Sequence, residues 1–167
     1  MAAKARPIPE GFHSVTPHLT VRDAVKMIEF YKKAFGAREV EVKKMPDGKV
    51  MHAKIKIGDT FVMLNDEFPE TGGACASASP MALNGVSCTL NLYVEDADFT
   101  WKQALAAGAK EAMPLADMFW GDRYGLLTDP SGHRWAIASR KEDLTPEQVD
   151  KRAMEFFCKE PMKGKVS

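Results

Sequence analysis

A chain of 167 residues with 45% hydrophobic and 28% charged residues is long enough to bury a core without disulfides or a structural metal. Lys plus Arg and Asp plus Glu balance at 23 each, so no nucleic-acid face and no acidic tail are expected. No stretch approaches the roughly 18 apolar residues of a membrane span, and the first residues carry no apolar leader core. Cys75, Cys88 and Cys158 lack CxxC spacing and read as free thiols of a cytoplasmic protein.

In chain order, a flexible start over residues 1–11 gives way to an alternating strand at 14–21, with Thr16, His18 and Thr20 sharing a face. Asp23 stands at an N-cap position, and Ala24, Met27, Ile28, Tyr31, Ala34 and Phe35 recur at helical spacing until Gly36. The pattern predicts a helix over 24–35, then strands at 38–45, 50–57 and 60–65 separated by Pro46-Asp47-Gly48 and Gly58-Asp59 turns. This βαβββ order fills residues 12–65. Residues 66–87 have no periodicity and form a long connection, the kind that is usually functional, a lid or a linker.

The pattern then restarts. Leu19, Val21 and Asp23 correspond to Leu92, Val94 and Asp96 at an offset of 73. Gly36 corresponds to Gly108 at 72, and Gly58 to Gly132 at 74. An offset kept across strand, helix cap, helix stop and final turn marks a duplicated unit. The second copy occupies 88–140, with a strand at 88–95, a helix at 97–107 and strands at 110–114, 122–128 and 134–139. Residues 141–167 add a helix capped by Thr145, Pro146 and Gln148. The expected fold is α+β: two βαβββ modules and a C-terminal helix. Each sheet has a face its helix leaves uncovered, and two copies can shield those faces from each other, leaving a cleft between the curled sheets.

Five phrases carry a family resemblance: TVRDAVKMIEFYKKAFGA, MHAKIKIGDTFVMLNDEFPE, YVEDAD, FWGDRYGLLTDPSGHRWAIA and RKEDLTPEQ. From Phe12 to Gln148 the chain resembles the vicinal-oxygen-chelate superfamily, and within it the PhnB-like glyoxalase/bleomycin-resistance proteins. The resemblance implies the paired-module fold, and homodimers are common among such proteins, with modules paired within or between chains. It also implies a divalent metal held by one residue on the first strand and one on the last strand of each module. Carried onto this chain, those positions are Thr16, Met63, Thr89 and Ala136, none a strong ligand, so no metal and no cofactor are expected.

The expected partner is a small organic molecule, with no nucleic acid or membrane. His18, Met63, Asn91, Tyr93, Trp120, Arg123 and Tyr124 are the candidate binding residues. Trp120 and Tyr124 offer flat apolar area, Arg123 a fork for an anion, and Gly121 and Gly125 close backbone approach. A binding protein is thus one reading. An enzyme of lyase or isomerase type is another, using a divalent metal or a His18 or His52 acid–base on an oxygen-rich substrate. A third has the helix at 146–158 as a docking surface.

Overall fold

The computed structural model describes residues 6–72 and 76–159. The first sheet has the order β1-β4-β3-β2, from strands His18–Val21, Thr60–Asp66, Val50–Ile57 and Arg38–Lys44. The second has the order β5-β8-β7-β6, from Thr89–Tyr93, Arg134–Arg140, Asp122–Thr128 and Lys110–Asp117. In each, the first and last strands pair in parallel and the others antiparallel, which bears out the duplicated βαβββ unit.

Helix α1 (Ala24–Phe35) lays Met27, Ile28, Tyr31 and Ala34 on the buried face of the first sheet. Gly36 adopts a left-handed conformation at its end, returning its N–H to the Tyr31 carbonyl. Its start is tied more firmly than the sequence suggests. Asp23 accepts from the Lys26 N–H, while the Asp66 carboxylate accepts from both the Ala24 and Val50 N–H groups at 2.6 Å. One side chain on β4 thereby fixes the first residue of α1 and the first residue of β3.

β1 is shorter than predicted because Pro17 has no N–H to offer; only its carbonyl joins the ladder, accepting from the Met63 N–H. β6 is longer, reaching Asp117, and its register with β7 slips between Met113 and Ala116, around Pro114.

The long connection is pinned rather than free over its described part. Glu67 accepts from the backbone and hydroxyl of Ser79, which is wholly buried, and from Arg22. The Ser79 hydrogen bond, above all, holds the Glu67 carboxyl below the usual range. Ser79 also caps the short α2 (Pro80–Leu83). Cys75 lies outside the described residues, and Cys88 and Cys158 are exposed free thiols.

The modules join through their helix-bearing sides. α1 packs along α3 (Ala97–Ala107), and Gln103 donates to the Lys33 carbonyl. At the centre, Asp129 accepts from the Tyr31 hydroxyl at 2.7 Å and the Trp135 indole N–H at 3.0 Å. Its other oxygen accepts from the Ser131 and His133 N–H groups. Trp135 rests on Tyr31 and Phe35. The sheet faces away from the helices do not shield each other as expected, because the helices take up the contact between modules; they stay open in the single chain, with His18, Thr89, Asn91, Tyr93 and Arg134 exposed.

Candidate functional site

The helix-free face of the second sheet holds a cavity of about 590 Å³, within the range of small-molecule sites. Strand parity builds it. Asn91 and Tyr93 on β5, Asp122, Tyr124 and Leu126 on β7, and Arg140 on β8 all point to this side. Between them, the register sets Ala136 beside Asn91 and Leu126, and Ala138 beside Tyr93 and Tyr124. Two alanines in the row between larger side chains leave a depression where bulkier residues would fill it.

The rim comes from elsewhere. Met118 and Trp120 stand in the turn before β7, which Gly121 permits at φ +95°. Trp120 meets Phe119 and Tyr124 edge-on, with ring centroids at 4.9 and 5.5 Å. Leu144 and Val149, at the start of α4 (Pro146–Lys159), form the far wall. α4 begins with the predicted reciprocal cap, Thr145 and Gln148 each bonding the other's backbone. It is held by the Arg152–Glu142 pair and by Phe156 and Phe157 against Phe119.

Beside these apolar walls lies a polar group. The Asp122 carboxylate, 3% exposed, accepts from the Tyr93 hydroxyl at 2.7 Å. Its other oxygen lies 2.9 Å from Arg140 Nε, close enough for an ion pair but without hydrogen-bond alignment. The bond to Asp122, with a lesser contribution from burial, raises the Tyr93 phenol above its ordinary value, so Tyr93 is a hydrogen-bond donor near neutral pH.

Of the seven expected residues, Asn91, Tyr93, Trp120 and Tyr124 line this cavity. Arg123 does not. Odd parity on β7 turns it to the helix side, where Asp98 binds it bidentately at 2.9 and 2.8 Å and Asp117 takes Nη1. These carboxylates, Asp98 above all, raise the guanidinium further, and no fork remains for a ligand anion. Gly125 likewise faces the helix side and makes room for Trp101, not for a ligand. The lining also takes in Met113, Met118, Asp122, Leu126, Arg140, Leu144 and Val149, none of them among the seven expected binding residues. Asp122 shares parity with Tyr124, a signal that was present in the strand pattern.

His18 and Met63 sit side by side on the corresponding face of the first sheet, outside this cavity. The His18 ring stands edge-on to His52 with centroids 5.7 Å apart. Burial, then the neighbouring His18, lowers the His52 pKa and favours a neutral imidazole. On the same sheet, Phe12 and Phe61 meet at a tilt with centroids 5.0 Å apart, and the Lys54 ammonium stands over both rings.

The positions that the resemblance assigns to a metal do not fit one. Thr16 precedes β1 and spends its hydroxyl on the His13 carbonyl; Met63 and Ala136 offer a thioether and a methyl, Thr89 a hydroxyl. Among the described residues, no three His, Cys, Asp or Glu side chains converge as a metal site would require.

This paired-module fold defines the class: the chain belongs to the Glyoxalase/Bleomycin resistance protein/Dioxygenase superfamily, whose sequence profile matches residues 11–137. An uncharacterized protein of Mycobacterium tuberculosis (strain H37Rv) is 40% identical over 136 residues, covering 81% of this chain and 79% of that one. The crystal structure of TioX from Micromonospora sp. ML1 is similar with a TM-score of 0.58 and 25% identity, over 80% of this chain and all of TioX. A PhnB protein from Bacillus cereus, described as a putative 3-demethylubiquinone-9 3-methyltransferase, shares the fold: TM-score 0.57, 17% identity, 76% of this chain and 99% of that one.

Proposed function

We propose that the protein binds a small organic molecule in the cavity on its second sheet and does so without the superfamily's metal chelate, as a PhnB-like member. The observation that carries this reading is an apolar cavity of about 590 Å³ with aromatic walls and one buried carboxylate, in a chain whose family metal positions are Thr16, Met63, Thr89 and Ala136. Apolar walls with a few fixed polar groups are the usual form of a small-molecule site. A panel of planar organic molecules tests it by thermal unfolding. A ligand at about 100 times its Kd stabilises by about 2.7 kcal/mol, on the order of 5–10 °C for a chain of this size. Trp120→Ala removes one wall and abolishes most of that shift. A panel that stabilises neither form, or both equally, contradicts the reading.

The same reading has the protein act as a cytoplasmic homodimer, a second copy covering the sheet faces that one chain leaves open. The exposure of His18, Thr89, Asn91 and Tyr93 on those faces, Tyr93 at 54%, supports it. The free thiols Cys88 and Cys158 suit a reducing compartment. Sedimentation equilibrium at micromolar concentration gives twice the mass of one chain if this is right, and a single-chain mass if it is wrong.

A further inference from the structure

We propose that the cavity selects a planar molecule whose edge carries a hydrogen-bond donor for Asp122 next to an acceptor for Arg140, as in a cyclic amide, a carboxamide or an amino-substituted heteroaromatic ring. The inference rests on the reading of this cavity as a ligand site and adds the chemistry of what it holds.

Three observations converge. First, Asp122 is 3% exposed and lines the cavity, yet one of its carboxylate oxygens has no hydrogen-bond donor. A buried acceptor left unmatched is costly, and natural structures rarely keep one without a use. The second oxygen is not the vacant partner, because the Tyr93 hydroxyl occupies it at 2.7 Å.

Second, Arg140 already balances the charge. Its Nε lies 2.9 Å from the unmatched oxygen, but the N–H is not aimed at it. The Arg140 side chain is 55% exposed and runs outward, with Nη1 lying 3.7 Å from Asp143. With the carboxylate neutralised, a cationic ligand gains little over a neutral donor. A donor reaching Asp122 would bring the atom beside it close to the guanidinium, which donates only. Donor and acceptor side by side therefore match the pair better than either alone.

Third, the walls favour a flat body. Trp120 and Tyr124 present ring surfaces, while Met113, Met118 and Leu126 add adaptable apolar contact.

Two probes sharing one ring system separate these ideas: 2-quinolone, whose N–H adjoins its carbonyl, and 1-methyl-2-quinolone, which lacks the donor. Both are titrated into the intact protein while the indole N–H resonance of Trp120 is followed by NMR. The expected result is that 2-quinolone moves that resonance and binds at least tenfold more tightly than its methylated partner, as loss of a hydrogen bond to a carboxylate requires. In Asp122→Asn, the preference falls below threefold. In Trp120→Ala, followed by thermal unfolding instead, both probes weaken together. Equal binding of the two probes by the unaltered protein overturns the proposal, since the Asp122 oxygen then needs nothing from the ligand, and leaves the cavity reading standing. No binding of either probe, while other molecules of the thermal panel stabilise the protein through Trp120, also overturns it. Silence from probes and panel alike removes both claims.

Discussion

Asp129→Ala is expected to destabilise the protein by about 3–5 kcal/mol. The substitution strands four donors at once: the Tyr31 hydroxyl, the Trp135 indole N–H and the backbone N–H groups of Ser131 and His133. Tyr31 and Trp135 are buried, and each unmatched buried donor costs about 1–3 kcal/mol, partly relieved by relaxation or entering water. The loss falls between modules, because Tyr31 belongs to α1 of the first and Asp129 to the last turn of the second. Urea unfolding measures it; a loss below about 1 kcal/mol would show that this buried cluster does not join the two halves. A pH effect accompanies it. Burial, then the Asp129 charge, drives the Tyr31 phenol well above its usual value. Its contribution is thus fully present below the unfolded-state pKa of about 10 and is lost as pH rises beyond that. Tyr31→Phe should flatten the alkaline fall.

Gly125→Val should cost about 3 kcal/mol or more for a different reason. A Cβ at Gly125 would stand 2.7 Å from Trp101 Cζ3, 2.8 Å from Cη2 and 2.9 Å from Leu115 Cα. The indole has some freedom to yield, but the Leu115 backbone belongs to β6 and moves only with its strand. Overpacking of this kind costs about 1–3 kcal/mol per insertion, and valine adds two further methyl groups. Trp101→Leu alone removes a large core side chain and destabilises. Combined with Gly125→Val, it should recover part of the loss, because the two residues share one space. Strict additivity in that double-mutant cycle would show that Trp101 does not impose the glycine.

The duplicated fold was legible in the sequence because both halves carry the same periodicities and stops. The helices at 24–35 and 97–107 match to the residue, since a capping carboxylate and a left-handed glycine bound each of them. What parity fixes within a strand was legible too: Asn91 and Tyr93 on β5 share a face because the side-chain period is two. Arg123 attracts notice by residue type alone, but its parity on β7 turns it to Asp98, and its neighbour Asp122 is the residue that reaches the cavity. Arg140 lies one residue past the predicted end of β8, where the register of the β7–β8 hairpin sets it opposite Asp122. The part played by α4 was beyond local pattern: Val149 becomes a wall only because Phe156 and Phe157 dock on Phe119. Pro17 shows the same limit on a smaller scale: it cuts β1 short, so that the strand begins at His18, opposite Met63.

The three tryptophans provide the most direct measurement of the central claim, that the helix-free face of the second sheet is the ligand site. Trp120 stands at the cavity rim, whereas Trp101 and Trp135 are buried on the helix side. In a two-dimensional NMR titration with any molecule that stabilises the protein, the Trp120 indole N–H should shift while those of Trp101 and Trp135 hold still. Ala138→Phe, which plugs the space between Tyr93 and Tyr124, should remove the response. Shifts centred on Trp135, or on the His18 and His52 rings with Trp120 unmoved, would contradict the account.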